Sequence, residues 1–304
     1  MAPIVITQGD PDGIGPELLL RVGDAQLLVP GDRVYADPGR LEQLCAQLGT
    51  RWATTGLQRL TPHLAAASRP GLGQYAALVE ATDDVLAHPG SHLATAPIDK
   101  ARAQDEGLVY PGHTEYLAAR AGVVAFAMCM VGPRLRVALA TIHVPLSEVA
   151  TRLSTEEIVR KGVLLAAALP SFVGAVPRIA VLGLNPHAGE RGRLGDEEQR
   201  LIAPAIAELA RRVPEVEFVG PLPADTALPA AAAGHYGAVL AMYHDQGLGP
   251  FKMLHFDDGI NVTLGLPFRR ASPDHGTARD IAGRGVASAT SMLRAVAYVR
   301  GEAT

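Results

Sequence analysis

Short apolar runs alternating with stretches of helical spacing predict an α/β/α protein. Three observations carry that expectation. Runs of four to eight apolar residues bounded by Gly, Pro, Asn or Asp recur at 3–7, 135–142, 179–186 and 238–243, as buried parallel strands do. Amphipathic stretches with helical spacing separate them. The chain has 304 residues, 48% hydrophobic and 19% charged, enough for a sizeable core and more than a usual single domain, so two domains or one large α/β unit are expected.

The elements follow in order. Residues 3–7 read as a first strand, followed by the turn Gln8-Gly-Asp-Pro-Asp-Gly-Ile-Gly15. Pro16 then suits the first turn of a helix and Glu17 its positive end. A strand at 32–36 and a helix at 38–48 make the next βα unit, whereas 52–70 reads as irregular. Tyr75, Leu78, Val79, Thr82, Val85 and Leu86 give 73–87 a helical period, and a strand at 91–96 ends in Pro97-Ile-Asp-Lys100. Residues 115–121 read as helix, and 125–131 with 135–142 as a hairpin around Gly132-Pro133. Ser154-Thr-Glu-Glu157 resembles a capping box opening a helix to Leu169. A helix at 196–212, a late strand at 261–266 and a mainly helical stretch at 276–300 complete the chain.

Composition excludes several function classes. A net charge of -4 and a pI near 6.2 argue against a general nucleic-acid or anionic-membrane surface. No stretch reaches the roughly 18 apolar residues of a membrane span. The start, Met1-Ala-Pro-Ile-Val-Ile-Thr7, has no basic segment followed by a long apolar one, so no signal peptide is expected. Cys45 and Cys129 form no Cys-x-x-Cys pair and read as buried thiols in a reducing compartment. A cytoplasmic protein is expected.

Three histidines stand where an apolar run stops: His143 after 135–142, His187 after 179–186 and His244 after 238–243. Ligands of open α/β sheets bind outside the carboxyl ends of the strands. A single strand-end histidine is usually structural, but three, each in a polar turn, form a candidate divalent-metal site. Asp245, beside His244, can be a ligand or can orient the imidazole. In Pro111-Gly-His113-Thr114-Glu115, His113, Thr114 and helix-start amides can hold an anion, or Thr114 can simply cap the helix. Lys252, among Phe251, Met253 and Leu254, is either a snorkelling surface residue or a positioned cation. Asn261 and Arg270 bracket the late strand, and Asp225 lies in Gly220-Pro-Leu-Pro-Ala-Asp225-Thr226. The glycines at 9, 13 and 15 can admit an anion or make a tight turn. They do not spell G-x-G-x-x-G, so no Rossmann nucleotide site is supported and the cofactor-binding residues stay unassigned.

Six motifs in order combine these features: Gly-Asp-Pro-x-Gly-Ile-Gly-Pro-Glu, Pro-Gly-His-Thr-Glu, Asn-Pro-His-Ala-Gly-Glu, Gly-Pro-x-Pro-Ala-Asp-Thr, Tyr-His-Asp-Gln-Gly and Asp-His-Gly-Thr-Ala. Together they resemble the 4-hydroxythreonine-4-phosphate dehydrogenase family of vitamin B6 biosynthesis. The resemblance implies an isocitrate/isopropylmalate-dehydrogenase-like three-layer α/β/α fold with its active site in a cleft between two subdomains. These would be 1–124 with 271–304, and 125–270, the second carrying the metal histidines and a dimer interface. It implies an obligate homodimer with shared active sites, and NAD or NADP as oxidant. A divalent metal would lie on His143, His187 and His244, one of them from the partner subunit. Zinc suits nitrogen ligands best, with magnesium, cobalt, manganese and nickel also open. Substrate-binding positions would be His113, Thr114, Lys252, Asn261 and Arg270, with Asp225 and Asp245 as further polar positions. One departure is Asp99-Lys100, where the family has Asn-Lys.

The implied reaction oxidises 4-phosphooxy-threonine to 2-amino-3-oxo-4-phosphooxybutanoate, which decarboxylates to 3-amino-2-oxopropyl phosphate. Competing readings are a dehydrogenase for a phosphorylated sugar acid or an aromatic dihydrodiol, a metal-dependent lyase or aldolase, and a non-catalytic phosphometabolite sensor.

Overall fold

Runs such as Ile4–Thr7, Ala127–Val131 and Ala238–Ala241 are buried at every residue, as strands covered on both faces must be. The computed structural model describes residues 2–172 and 174–302, which divide into two compact units. One is 2–124 with 266–302, the other 125–265. The first begins with β1 (Ile4–Thr7), α1 (Gly15–Asp24), β2 (Arg33–Tyr35), α2 (Pro38–Leu48) and α3 (Arg51–Leu60). It continues with α4 (Gln74–Ala87), β3 (His92–Thr95), α5 (Lys100–Asp105) and α6 (His113–Arg120). The second unit opens with β4 (Ala127–Val131), β5 (Arg136–Leu139), α7 (Leu146–Arg152), α8 (Thr155–Ala168) and β6 (Arg178–Leu182). Then come α9 (Ala203–Arg212), β7 (Glu217–Leu222), α10 (Ala224–Ala232), β8 (Ala238–Ala241), α11 (His244–His255) and β9 (Ile260–Leu264). The chain re-enters the first unit with β10 (Arg270–Pro273) and α12 (Thr290–Arg300).

In the first unit the strand order is β2-β1-β3-β10, all parallel. Its core gathers Val5, Leu78, Leu93, Leu117 and Phe268. In the second the order is β9-β4-β5-β8-β6-β7. The β9–β4 and β4–β5 pairs are antiparallel, so 127–139 is the expected hairpin, while β5, β8, β6 and β7 run parallel. Met130, Val137, Leu139, Val239 and Phe251 centre its core. Each fully buried side chain of this kind contributes roughly 1.5–3 kcal/mol.

Several local expectations need correction. The stretch expected to be irregular begins with α3, capped by Thr50, whose side chain accepts from the Ala53 amide. Gly56 hides that helix from a propensity reading, yet it is what lets α3 approach α1. A Cβ at Gly56 would lie 2.1 Å from the Leu20 carbonyl oxygen, and one at Gly23 would lie 2.2 Å from that of Gly56. Residues 276–289 are not helical, and only Thr290–Arg300 is. Gly283 and Gly285 both hold φ of +73°, which breaks the helical pattern. Cys129 is buried, its thiol pushed up by burial to about 12, but Cys45 is only partly so. At α8 half of the capping box forms, with Ser154 Oγ accepting from the Glu157 amide at 3.2 Å.

The glycine-rich turn after β1 is a tight turn closed on the protein itself. The Asp10 amide donates to Pro97 O, that of Gly13 to Asp10 O and that of Ile14 to Thr277 O. The Asp12 amide donates to the Asp10 carboxylate at 3.1 Å, so the amides of Asp10, Asp12, Gly13 and Ile14 are all spent internally. Asp10 is fully buried and pairs with Arg102 and Arg279. Asp99 caps α5 by accepting from the Arg102 amide and pairs with Arg279 at 3.3 Å. An asparagine could supply the cap there but not the charge.

Candidate active site

The apolar runs that end at His143, His244 and His187 form β5, β8 and β6, three neighbouring parallel strands of the second unit. Parallel pairing puts their carboxyl ends at one edge, so the histidines all follow the same end of the sheet. His143 has φ of +48° and His187 φ of +53°, backbone that a side chain adopts only under constraint. The rings of His143 and His244 lie 5.8 Å apart between centroids. They line a cavity of about 230 Å³ with Thr141, Ile142, Val144, Leu146, Val149, Tyr243 and Asp245. His143 and His187 are exposed and His244 partly so. Among the described residues no three His, Cys, Asp or Glu side chains converge to hold a metal, so one chain offers a histidine pair.

The donor chemistry nevertheless suits a divalent metal. His244 Nδ1 meets Asp245 Oδ1 at 2.6 Å. A carboxylate on one ring nitrogen holds a proton there and leaves the other as a lone-pair donor.

Three residues that the sequence did not single out position these loops. Thr141 Oγ1 donates to Met242 O at 2.7 Å, tying the segment before His143 to the segment before His244. Gln246 accepts from the Met242 amide and donates to Gly183 O, both at 2.7 Å, which joins the ends of β8 and β6. Buried Glu198 accepts from the Leu184 and Asn185 amides at 2.7 Å each, and from Asn185 Nδ2 at 3.1 Å. It thereby anchors the five-residue left-handed turn His187-Ala-Gly-Glu-Arg191, in which every φ is positive. Left-handed backbone costs roughly 1–2 kcal/mol per non-glycine residue. Glu198 opens a π-helical turn (Glu198–Ile202), a device common at functional sites. The Glu197-Glu198 pair a dozen residues after Asn185 was the available signal.

The anion candidate of the first unit has a different character. His113 is the first residue of α6, whose N-cap is Gly112 with no side-chain cap, so Thr114 does not cap it. Arg270 on β10 is 2% exposed. Its Nη2 donates to Thr95 Oγ1 at 2.6 Å and meets His113 Nδ1 at 3.2 Å. Burial, then the charges of Arg270 and Lys100, hold the His113 imidazole well below its ordinary 6.5. Burial also draws the Arg270 guanidinium down to about 10, opposed by Glu115, so it stays cationic at neutral pH. His113 Nε2 is buried with no hydrogen-bond partner among the described residues.

In the second unit Asn261 is the second residue of β9, opposite Met130, and its buried Oδ1 likewise has no partner among the described residues. Lys252 is partly buried on α11, and Asp225 is exposed in the first turn of α10. Two of the five substrate candidates, His113 and Asn261, thus each keep a buried polar atom without a partner, as a ligand-binding group would.

Comparison with known proteins places this chain in a class and then in a family. A β-decarboxylating dehydrogenase from Thermococcus kodakarensis shares its fold, with a TM-score of 0.54 at 13% identity over 100% of this chain and 85% of that one. The fold is therefore the isocitrate/isopropylmalate-dehydrogenase-like α/β class. The family model described as pyridoxal phosphate biosynthetic protein PdxA matches residues 57–299. A 4-hydroxythreonine-4-phosphate dehydrogenase from Desulfosudis oleivorans is 44% identical, covering 96% of this chain and 94% of that protein. The crystal structure of a 4-hydroxythreonine-4-phosphate dehydrogenase from Klebsiella pneumoniae superposes with a TM-score of 0.81 at 34% identity, covering 99% of this chain and 98% of that one. The chain belongs to the PdxA family.

Proposed function

We propose that this chain is an NAD(P)-dependent, divalent-metal-assisted dehydrogenase of 4-hydroxythreonine 4-phosphate. It oxidises the secondary alcohol to 2-amino-3-oxo-4-phosphooxybutanoate, passing a hydride to the nicotinamide and a proton to solvent. The β-keto acid then loses carbon dioxide to give 3-amino-2-oxopropyl phosphate. The observation that carries this reading is the placement of His143, His244 and His187 beyond β5, β8 and β6, neighbouring parallel strands of a PdxA-family chain.

His143, His187 and His244 would hold the metal, with zinc the best match to three imidazoles and Mg, Co, Mn or Ni as other candidates. When bound, the metal supplies Lewis-acid polarisation of the substrate's alcohol and ketone oxygens. The chain's own residues orient the substrate. His113, Thr114, Lys252, Asn261 and Arg270 anchor its phosphate and carboxylate, and Asp225 and Asp245 are further polar positions. Fixing both anionic ends holds the reacting carbon in one pose, which lowers the entropic part of the barrier.

A homodimer with shared sites fits the surface around the histidines. Leu146, Met253 and Phe256 are exposed large apolar side chains, the first beside His143, the second on the helix that His244 opens and the third directly after it. A second copy covering them could complete the histidine pair. The pathway fits a cytoplasmic setting, and no helix among the described residues is long and apolar enough to cross a membrane.

The deciding experiment is a substrate panel with NAD and NADP and several divalent metals. It compares phosphohydroxythreonine with phosphothreonate, phosphoerythronate and a dihydrodiol. Reduced nicotinamide with phosphohydroxythreonine, abolished by chelator, is the expected result. Preference for another substrate refutes the assignment within the family. Carbon–carbon cleavage without reduced nicotinamide indicates a lyase.

A further inference from the structure

We propose that Arg270 is a positioning residue that fixes His113 as its neutral Nε2–H tautomer, so that this imidazole donates to an anionic substrate oxygen and takes up no proton. The part concerning substrate rests on the function proposed above; the tautomer does not. A guanidinium has only donors. Nη2 of Arg270 carries two protons, and two acceptors stand within reach, Thr95 Oγ1 at 2.6 Å and His113 Nδ1 at 3.2 Å. Nδ1 must therefore present its lone pair, and the ring proton must sit on Nε2. Protonating the ring would turn a proton on Nδ1 toward the guanidinium, donor against donor.

The surroundings agree. The charged groups facing His113 are Arg270 on β10 and Lys100 on α5, both positive, with Glu115 of α6 acting on Arg270. Each cation opposes an imidazolium. Nε2 is buried without a partner among the described residues, so its N–H is a donor held ready for a ligand. An acid–base role for this histidine is excluded by the same geometry, because its only basic nitrogen is engaged by Arg270. Through Nη2, Arg270 thus positions His113 in addition to the substrate contact proposed above, and Thr95 orients that nitrogen.

The test uses the full-length protein carrying isotope-labelled histidine, with the His113 signals assigned by their loss in His113→Gln. Nitrogen shifts distinguish bare from protonated ring nitrogens. The expected spectrum has Nδ1 bare and Nε2 protonated, unchanged as the pH falls through the ordinary imidazole value of 6.5. A protonated Nδ1, or titration near the ordinary imidazole value, overturns the proposal. Arg270→Met should let His113 titrate upward toward that value. Should that variant fail to fold, the nearly isosteric Thr95→Val loosens the guanidinium and should shift the titration the same way. Inorganic phosphate then probes the donor: a change at Nε2–H is expected. No change, with the tautomer intact, overturns the substrate half alone.

Discussion

His113 and His143 are both histidines at element ends, and the protein treats them in opposite ways. His113 sits with its Nε2 buried, against a buried arginine that is itself held by Thr95. Its protonation state is set before any ligand arrives. His143 is exposed on left-handed backbone, 5.8 Å from the ring of His244, and the pair lines an open cavity. The second unit secures its histidines through backbone, using Thr141, Gln246 and Glu198, and leaves the rings accessible. The difference teaches that electrostatics and burial fix the state of His113, as the proposed anion donor would need, while a placed main chain leaves His143 at an open cavity, as the proposed metal ligand would need.

The strongest way to break this contrast is to remove the rings. His143→Ala, His187→Ala or His244→Ala should abolish bound metal and lower activity by about three orders of magnitude or more, with the fold retained. Full metal occupancy in any of them, measured by elemental analysis, would refute that ligand. Where two of these variants carry lesions on opposite sides of a shared site, mixing them should restore part of the activity. Absence of recovery after verified subunit exchange counts against sharing.

The next largest effect tests the backbone claim. Glu198→Ala leaves the Leu184 and Asn185 amides without their acceptor, while the Asn185 side chain keeps its bond to Glu197, so stability should fall by about 2–4 kcal/mol. Metal affinity should weaken about 10–100-fold without touching a ligand. Unchanged affinity in a folded Glu198→Ala protein would show that the left-handed turn needs no anchor. Asp245→Ala should be milder, about 10-fold in metal affinity, because the Asp245 carboxylate is mostly exposed though it meets His244 at 2.6 Å.

The smallest effect is on the other side of the comparison. His113 is held below its ordinary value when folded, so the unfolded chain binds the proton first as pH falls. The stabilisation from keeping it neutral is complete above the unfolded value of 6.5 and is lost below it. The slope is at most about 1.4 kcal/mol per pH unit. Denaturant midpoints measured above and below pH 6.5 should show that loss, and His113→Gln should flatten it.

How much of this was legible depends on the range of the forces involved. The strands that precede His143, His187 and His244 could be read because run length and turn residues are local properties. The hairpin at Gly132-Pro133 could be read for the same reason. Helix α3 could not, since Gly56 lowers local propensity and makes sense only as a close approach to Leu20. The helical stretch expected from 276 failed in the other direction, where glycines at +73° decide against a local pattern. The glycine turn after β1 was left open between an anion cradle and a tight turn. Only its bonds to Pro97 and Thr277, far away in sequence, settle that it is a tight turn.

The sequence by itself determined the alternation of strands and helices, the strand-end histidines and, through six motifs in order, the family. Those are statements about adjacent residues, where apolar spacing and turn chemistry act. Tertiary structure alone decided that β5, β8 and β6 are neighbours, that Gln246 and Glu198 hold the histidine loops, and that Arg270 faces His113. Strand order and buried pairs of this kind are fixed by packing between segments brought together only by the fold, such as Gln246 with Gly183 and Arg270 with His113, which spacing along the chain does not encode.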